Sequence, residues 1–338
     1  MLKKKYYNNI FQIWLITLIF LISLIIVVGG LTRLTDSGLS ITEWELFKGI
    51  LPPTSINSWM KYFESYKQIP QFKFLNSQMT LEEFKFIFLW EYAHRLLARF
   101  IGLFFLIPFI FFLFIDLLKK KTIVHLIKIF LLILIQGSIG WYMVTSGLLE
   151  NISVSHYRLS IHLFLAFCIL SSVFWILLNH LNKEEKKFFK FNKYYSPFSL
   201  LVGLIFFQIT LGAFVSGLDA GKIYQTWPLM NENYFPNDVL VFDYLNFDQP
   251  SVVQFFHRNV AYIIFTLSIY LGFNIYKKKK TRLYKSFLIY FSIVLVQVIL
   301  GISTLVSGVN IYMASMHQIS SIFLVLAVLT LYHRLIST

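Results

Sequence analysis

The sequence predicts an all-α polytopic membrane protein whose eight transmembrane helices form two pseudo-symmetric four-helix bundles. Three observations support this fold class: long apolar runs, lysines concentrated in the short segments between them, and an internal repeat. Of the 338 residues, 57% are hydrophobic and 14% are charged, whereas a soluble domain carries roughly 25% charged residues. About 20 apolar residues suffice to cross a hydrocarbon core of about 30 Å, so we interpret the apolar runs as membrane spans.

The apolar runs place the spans, and the segments between them differ greatly in length. The predicted spans cover residues 11–31, 94–117, 123–144, 157–180, 198–217, 256–276, 286–306 and 314–332. Two long connecting segments, 32–93 and 218–255, contain several tryptophans and prolines. Such segments suit either an interfacial belt and cap or a lid over a buried ligand, and the sequence favours neither.

The charge distribution indicates a membrane orientation rather than nucleic-acid binding. The formal net charge is +14, and lysines cluster at the amino terminus and in segments 119–121, 183–193 and 277–285. Segment 218–255 instead carries one basic residue, Lys222, against five acidic ones. By the positive-inside rule, both termini are cytoplasmic and the two long segments face outward. The abundance of Lys, Ile, Asn and Phe is typical of AT-rich bacterial genomes, so we predict a multi-pass protein of the bacterial cytoplasmic (inner) membrane, in contact with lipid and not with nucleic acid.

A repeat with constant spacing divides the chain into two halves. The matching pairs are Gln136 and Gln297, and Gly140 and Gly301, which lie 161 positions apart, and Gly29 and Gly212, and Asp36 and Asp219, which lie 183 positions apart. Both halves begin on the same side of the membrane, so the repeat is parallel. We therefore predict an N-terminal bundle at residues 1–180, with a long outer loop, and a C-terminal bundle at residues 181–338.

Four histidines occupy matched positions in these halves. His94 and His257 stand at the head of the second and sixth spans, and His162 and His317 lie near the outer ends of the fourth and eighth. A single histidine in a span is commonly a packing or hydrogen-bonding residue. Two pairs in register instead favour axial ligation of a haem iron in at least one bundle, because zinc requires three or four ligands. The remaining histidines are assigned no chemistry: His125, His156, His180 and His333.

One acidic residue distinguishes the two halves. Glu91 and His94 lie three apart on one face of a helix, and the second half has Gln254 in place of the glutamate. Glu91 either pairs with a neighbouring arginine or serves as the titratable group of a reactive site. The arginine that follows each histidine, Arg95 or Arg258, either extends towards lipid headgroups or pairs with the carboxylates of a porphyrin.

Several segments resemble the signature segments of haem A synthases. They are Val28-Gly-Gly-Leu-Thr-Arg-Leu-Thr-Asp-Ser-Gly38, Ser40-Ile-Thr-Glu-Trp44, Glu91-Tyr-Ala-His-Arg95, Tyr157-Arg-Leu-Ser-Ile-His162 and Thr226-Trp-Pro-Leu-Met230. The resemblance extends from the first span to His317-Gln318. Some members carry a pair of cysteines in an outer loop, whereas this chain has only Cys168, which indicates the cysteine-free branch.

The resemblance implies an activity, a cofactor and a set of site residues. The expected activity is oxidation of the C8 methyl of haem O to a formyl group, which gives haem A for cytochrome oxidase biogenesis. The expected partners are haem O, the haem O synthase and the cytochrome oxidase assembly machinery. The implied sites are a haem b cofactor site with ligands His257 and His317 and neighbouring Arg258, and a substrate-haem site with ligands His94 and His162, neighbouring Arg95 and catalytic Glu91.

Two other functions remain open from the sequence. A non-catalytic di-haem cytochrome b that transfers electrons from quinol would explain the four histidines equally well. It would not explain why one half has replaced the glutamate or why the outer segments carry extended motifs. A haem transporter or chaperone is a weaker third possibility.

Overall fold

The computed structural model describes residues 2–45, 48–149, 151–188, 195–240, 243 and 245–336. Over these residues the regular secondary structure is helical, apart from one isolated β-bridge between Met230 and Asn233. The helices are α1 (Leu2–Leu34), α2 (Ile56–Tyr66), α3 (Pro70–Leu75), α4 (Leu81–Phe114), α5 (Lys120–Leu149), α6 (His156–Asn182), α7 (Ser196–Gly217), α8 (Pro250–Lys277), α9 (Thr281–Val306) and α10 (Ile311–Leu335). Within the described residues, eight of these helices are long and apolar enough to cross a membrane. The predicted all-helical, multi-pass architecture is confirmed.

Three helices, α1, α4 and α8, begin well before the spans predicted from hydropathy. Helix α4 begins at Leu81 rather than at residue 94, because Thr80 and Glu83 form a reciprocal capping box. Helix α8 begins at Pro250, a residue suited to the first turn of a helix. At 1.5 Å per residue, the 34 residues of α4 extend for about 50 Å. Glu91 and His94 therefore lie inside a continuous helix and not at its entrance.

The first long connecting segment, residues 32–93, contains a cap with its own apolar core. Helices α2 and α3 and the first turns of α4 enclose a buried cluster: Leu39, Ile41, Phe63, Tyr66, Ile69, Phe84, Ile87 and Phe88. The Tyr66 hydroxyl donates to Gln71 Oε1 at 3.0 Å and accepts from Asn76 Nδ2 at 2.7 Å, and burial raises the pKa of Tyr66. This core fixes the start of α4 and the segment around residue 40 relative to each other.

By internal contacts the chain divides into two compact units, Met1–Ile169 and Leu170–Thr338, with the division inside α6. In the first unit, α1 packs against α4 and α4 against α5. In the second, α7 packs against α8, α8 against α9, α9 against α10, and α10 against α7, which closes a four-helix ring. The predicted boundary after residue 180 stays a prediction.

Hydrogen bonds to a buried tyrosine stabilise the second long connecting segment, residues 218–255. The Tyr224 hydroxyl lies 2.7 Å from both Asn237 Oδ1 and Asp238 Oδ1. Burial, together with the Asp238 carboxylate, raises the pKa of Tyr224. Ser251, in the first turn of α8, donates to the other oxygen of Asp238 at 2.5 Å. The segment is thereby anchored to the start of the helix that carries His257.

Candidate functional site

Each of the four matched histidines packs against a glycine of the preceding span. A Cβ atom added to the glycine would lie very close to the Cε1 atom of the imidazole: 3.0 Å for Gly29 and His94, 3.0 Å for Gly140 and His162, 3.3 Å for Gly212 and His257, and 2.9 Å for Gly301 and His317. Small residues let helix backbones approach closely. Here they let an imidazole lie against the backbone of the neighbouring helix, which explains why the glycines recur with the repeat.

A glutamine one turn before the glycine contacts the histidine at three of these four positions. The amide Nε2 of Gln136 donates to the backbone carbonyl of His162 at 3.0 Å, that of Gln208 to His257 at 2.9 Å, and that of Gln297 to His317 at 3.1 Å. Two of the amide nitrogens also lie near the ring, at 3.2 Å from His162 Nδ1 and 3.3 Å from His257 Nε2. These contacts fix the register between the helix of the histidine and its neighbour.

The ring separation of one histidine pair suits two ligands of a single metal ion. In the second unit, the rings of His257 and His317 have centroids 6.5 Å apart and planes at 78°. A metal ion bound to two imidazoles at about 2 Å from each nitrogen needs a separation of this order.

Unsatisfied ring nitrogens also suit a metal ligand. Among the described residues, buried Nδ1 atoms without a hydrogen-bond partner occur on His94, His257 and His317. Buried polar atoms are usually paired, so these three ring nitrogens remain available for a ligand or metal ion that the protein itself does not supply. In the same part of the chain, no group of three or more His, Cys, Asp or Glu side chains could hold a metal ion. Paired neutral imidazoles are the donor set of a six-coordinate haem.

Glu91 is buried and fully engaged by the cap. Its side chain is 3% exposed. Oε1 accepts from Arg95 Nη2 at 2.5 Å, and Oε2 accepts from Ser40 Oγ at 2.7 Å and from the backbone N–H of Ile41 at 2.9 Å. Three donors directed at one carboxyl group suit its ionised form, which only accepts hydrogen bonds. The ion pair with Arg95 was one of the two roles that the sequence left open for Glu91.

Gln254 makes the opposite kind of hydrogen bond in the second unit. It is equally buried, at 3% exposed, and its Nε2 donates to the backbone carbonyl of Tyr224 at 2.8 Å. Tyr224 lies 183 positions after Ile41, the same offset that relates Gly212 to Gly29. The glutamate therefore accepts from the backbone at one position of the repeat, whereas the glutamine donates to the backbone at the equivalent one.

Arg95 and Arg258 bind equivalent backbone carbonyls of the two long connecting segments. Arg95 donates to the carbonyls of Ile41 at 2.9 Å and of Glu43 at 3.3 Å. Arg258 donates to the carbonyls of Tyr224 and Thr226, both at 2.9 Å. Arg95 also lies over the ring of Trp44, 5.1 Å from its centroid. Both guanidinium groups hold the long connecting segments against α4 and α8. This role was not predicted from the sequence.

Comparison with known proteins identifies the family. A family of proteins described as cytochrome oxidase assembly protein matches residues 12–329. The chain is 53% identical over 323 residues to the haem A synthase of Pelagibacter ubique, with 94% of each chain covered. It is 42% identical over 338 residues to that of Nitrosospira multiformis (96% and 92% covered) and 41% identical over 326 residues to that of Rickettsia bellii (94% and 96% covered).

The chain belongs to the haem A synthase family. The predicted family is thereby confirmed, and its assignment to the cysteine-free branch stays a prediction. The matched range contains all four paired histidines, Glu91 and both arginines.

Two features of this haem A synthase family member escaped prediction although the sequence contains their signals. The spacing Gln-x-x-x-Gly occurs at Gln136, Gln208 and Gln297. It places the glutamine and the glycine on one helix face. In the sequence, those glycines served only to align the two halves of the repeat. The second feature is the contact of Ser40 with Glu91, for which only the Ser40–Trp44 motif was available.

Proposed function

We propose that this protein is a haem A synthase that oxidises the C8 methyl of haem O to a formyl group through two hydroxylations and loss of water from the resulting diol. The observation that carries the proposal is the asymmetry between two similar histidine pairs. A buried carboxylate stands one turn from His94, whereas the equivalent position near His257 is an amide. Membership of the haem A synthase family supports the same conclusion.

The second half, in this proposal, holds the resident cofactor. His257 and His317 would hold a haem b, which would supply one-electron redox chemistry. Arg258 fixes the outer segment beside them through its bonds to Tyr224 and Thr226. The glycines and glutamines behind both rings hold the ligands at constant depth.

The first half binds the substrate haem O through His94 and His162. Glu91 is proposed as the catalytic group, which stabilises positive charge that develops at the methyl carbon or moves a proton. Arg95 holds the Glu91 carboxylate in place and anchors the cap above it. The partners follow from the reaction: haem O, the haem O synthase that produces it, and the cytochrome oxidase assembly machinery that receives haem A.

The pigments of the purified protein test this proposal. We expect haem b together with haem A or its hydroxylated precursor, because product or intermediate stays on the substrate ligands. A di-haem cytochrome b would contain haem b alone. Extraction of the haems into acidified organic solvent, followed by chromatography and mass measurement, separates these outcomes. Haem b as the only haem extracted from the purified protein would disprove the proposed activity.

We also propose that both termini are cytoplasmic and that the outer segments face the periplasm. The support is the placement of lysines between α4 and α5 and between α8 and α9, which the positive-inside rule assigns to the cytoplasm. Lys190 and Lys193 belong to the same pattern but lie outside the described residues. A reporter that is active only in the periplasm should be active when inserted near Asn231 and inactive when fused after Thr338. The reverse result would refute this orientation.

A further inference from the structure

The four histidines differ in how firmly their neighbours hold them. His162, His257 and His317 each accept a hydrogen bond from a glutamine through their backbone carbonyl. The position equivalent to Gln208 in the first half is Ile25, by the same offset of 183 that relates Gly29 to Gly212. Helix α1 therefore keeps the glycine against His94 but has an aliphatic side chain where the other three helices have an amide.

This difference has a direct physical consequence for ligand strength. An outer-shell hydrogen bond that orients a metal ligand typically strengthens metal binding about 10- to 100-fold. Here all three amides donate to the backbone carbonyl of the histidine, and those of Gln136 and Gln208 also lie near its ring. The isoleucine side chain has no donor or acceptor. His94 is therefore set in place by packing against Gly29, without a glutamine on that helix to donate to its backbone carbonyl as on the other three.

We propose that the three glutamines are positioning residues for permanent haem ligands and that Ile25 makes His94 the exchangeable ligand of the first half. This inference rests on the proposed function, in which haem O must enter and haem A must leave through one pair of histidines. In the second half both ligands are held by glutamines, as a resident cofactor requires. In the first half only His162 is held, so the iron–His94 bond is the one that breaks when the substrate site is loaded or emptied.

Carbon monoxide measures this difference directly, because it binds ferrous six-coordinate haem only where an axial ligand dissociates. In reduced protein that carries haem A in the first half and haem b in the second, the haem A absorption should change on addition of carbon monoxide and the haem b absorption should not. Ile25→Gln should slow the reaction of the first-half haem about tenfold or more. Ile25→Met, which has similar length without an amide, is the matched control and should react at the parental rate.

The second half provides the converse experiment. Gln208→Met removes the amide behind His257 and keeps the volume, and it should make the haem b reactive towards carbon monoxide. The haem b content of each Ile25 variant reports whether the protein is folded, since Ile25 lies in the first unit. The proposal is overturned if both haems of the parent protein react equally with carbon monoxide. It is also overturned if Ile25→Gln does not slow the reaction of the first-half haem, or if Gln208→Met does not make the haem b reactive. If Ile25→Gln retains no first-half haem, the Gln208→Met result decides.

Failure of this inference is distinguishable from failure of the proposed function. A protein that produces haem A but shows equal carbon monoxide reactivity at both haems disproves only the exchangeable role of His94. A protein that never contains haem A disproves the proposed activity. In that event the comparison is made in His317→Ala protein, in which the first-half haem is the one with both ligands intact. Slower reaction on adding Ile25→Gln to that protein supports the ligand proposal, and an unchanged rate overturns it.

Discussion

Replacing His257 or His317 by alanine is expected to abolish the low-spin haem b spectrum of the protein. The two rings lie with centroids 6.5 Å apart, a separation that one iron can bridge. Loss of either imidazole leaves an iron with a single axial protein ligand in a buried site. Haem A production should disappear with the haem b signal, because the redox cofactor is missing. The measurement is the reduced-minus-oxidised absorption spectrum of purified protein, normalised to protein concentration.

A control histidine separates ligand loss from general damage. His125 is exposed and is assigned no chemistry, so His125→Ala should keep the full haem b spectrum. The substrate ligands lie in the other compact unit, and His257→Ala should therefore still insert into the membrane and retain first-half haem. A complete low-spin haem b spectrum in both His257→Ala and His317→Ala would contradict the assignment of the cofactor site.

Glu91→Gln is expected to lower haem A output per haem-loaded molecule about a hundredfold. If the carboxylate stabilises positive charge at the methyl carbon within a buried site, its loss removes on the order of 3 kcal/mol of transition-state stabilisation. Glutamine has nearly the same shape and can still accept from Ser40 and Ile41. The variant should therefore bind both haems and accumulate haem O or a partly oxidised intermediate. Quantified haems per mole of loaded protein are the measurement.

The hydrogen bonds of Glu91 provide the competing explanation, so a second variant is needed. If the carboxylate only anchors the cap through Arg95 and Ile41, Glu91→Gln should lower expression or haem retention and leave turnover per loaded molecule unchanged. Ser40→Ala removes one of the three donors and keeps the charge. A lost hydrogen bond of about 1 kcal/mol predicts at most about a fivefold effect on retention. If Glu91→Gln and Ser40→Ala both keep the parental turnover per loaded molecule, Glu91 is not the catalytic group.

Much of the candidate site could be predicted because the repeat is visible in the sequence. The constant offsets of 161 and 183 align the glycines and glutamines of the two halves. The four histidines could then be paired by their matched positions in equivalent spans, and Glu91 and Gln254 by their identical distance from His94 and His257. The apolar runs gave the number of spans. Their boundaries were less accurate, because the first turns of α4 contain Glu82, Glu83 and Lys85 and are covered by the cap rather than by lipid. Hydropathy measures apolar content and does not detect a polar helical turn outside the membrane.

The sequence by itself determined that this is a membrane-embedded helical protein with paired histidines and one acidic residue in only one half. Those properties follow from composition and spacing, which tertiary contacts do not alter. Only the tertiary structure decided what each polar side chain contacts. In the fold, Arg95 and Arg258 donate to backbone carbonyls of the long connecting segments. Glu91 accepts from three donors. The fold also placed a glutamine behind three histidines but not behind His94. A buried polar group must find a partner within about 3 Å, and which partner is available depends on how segments distant in sequence pack together.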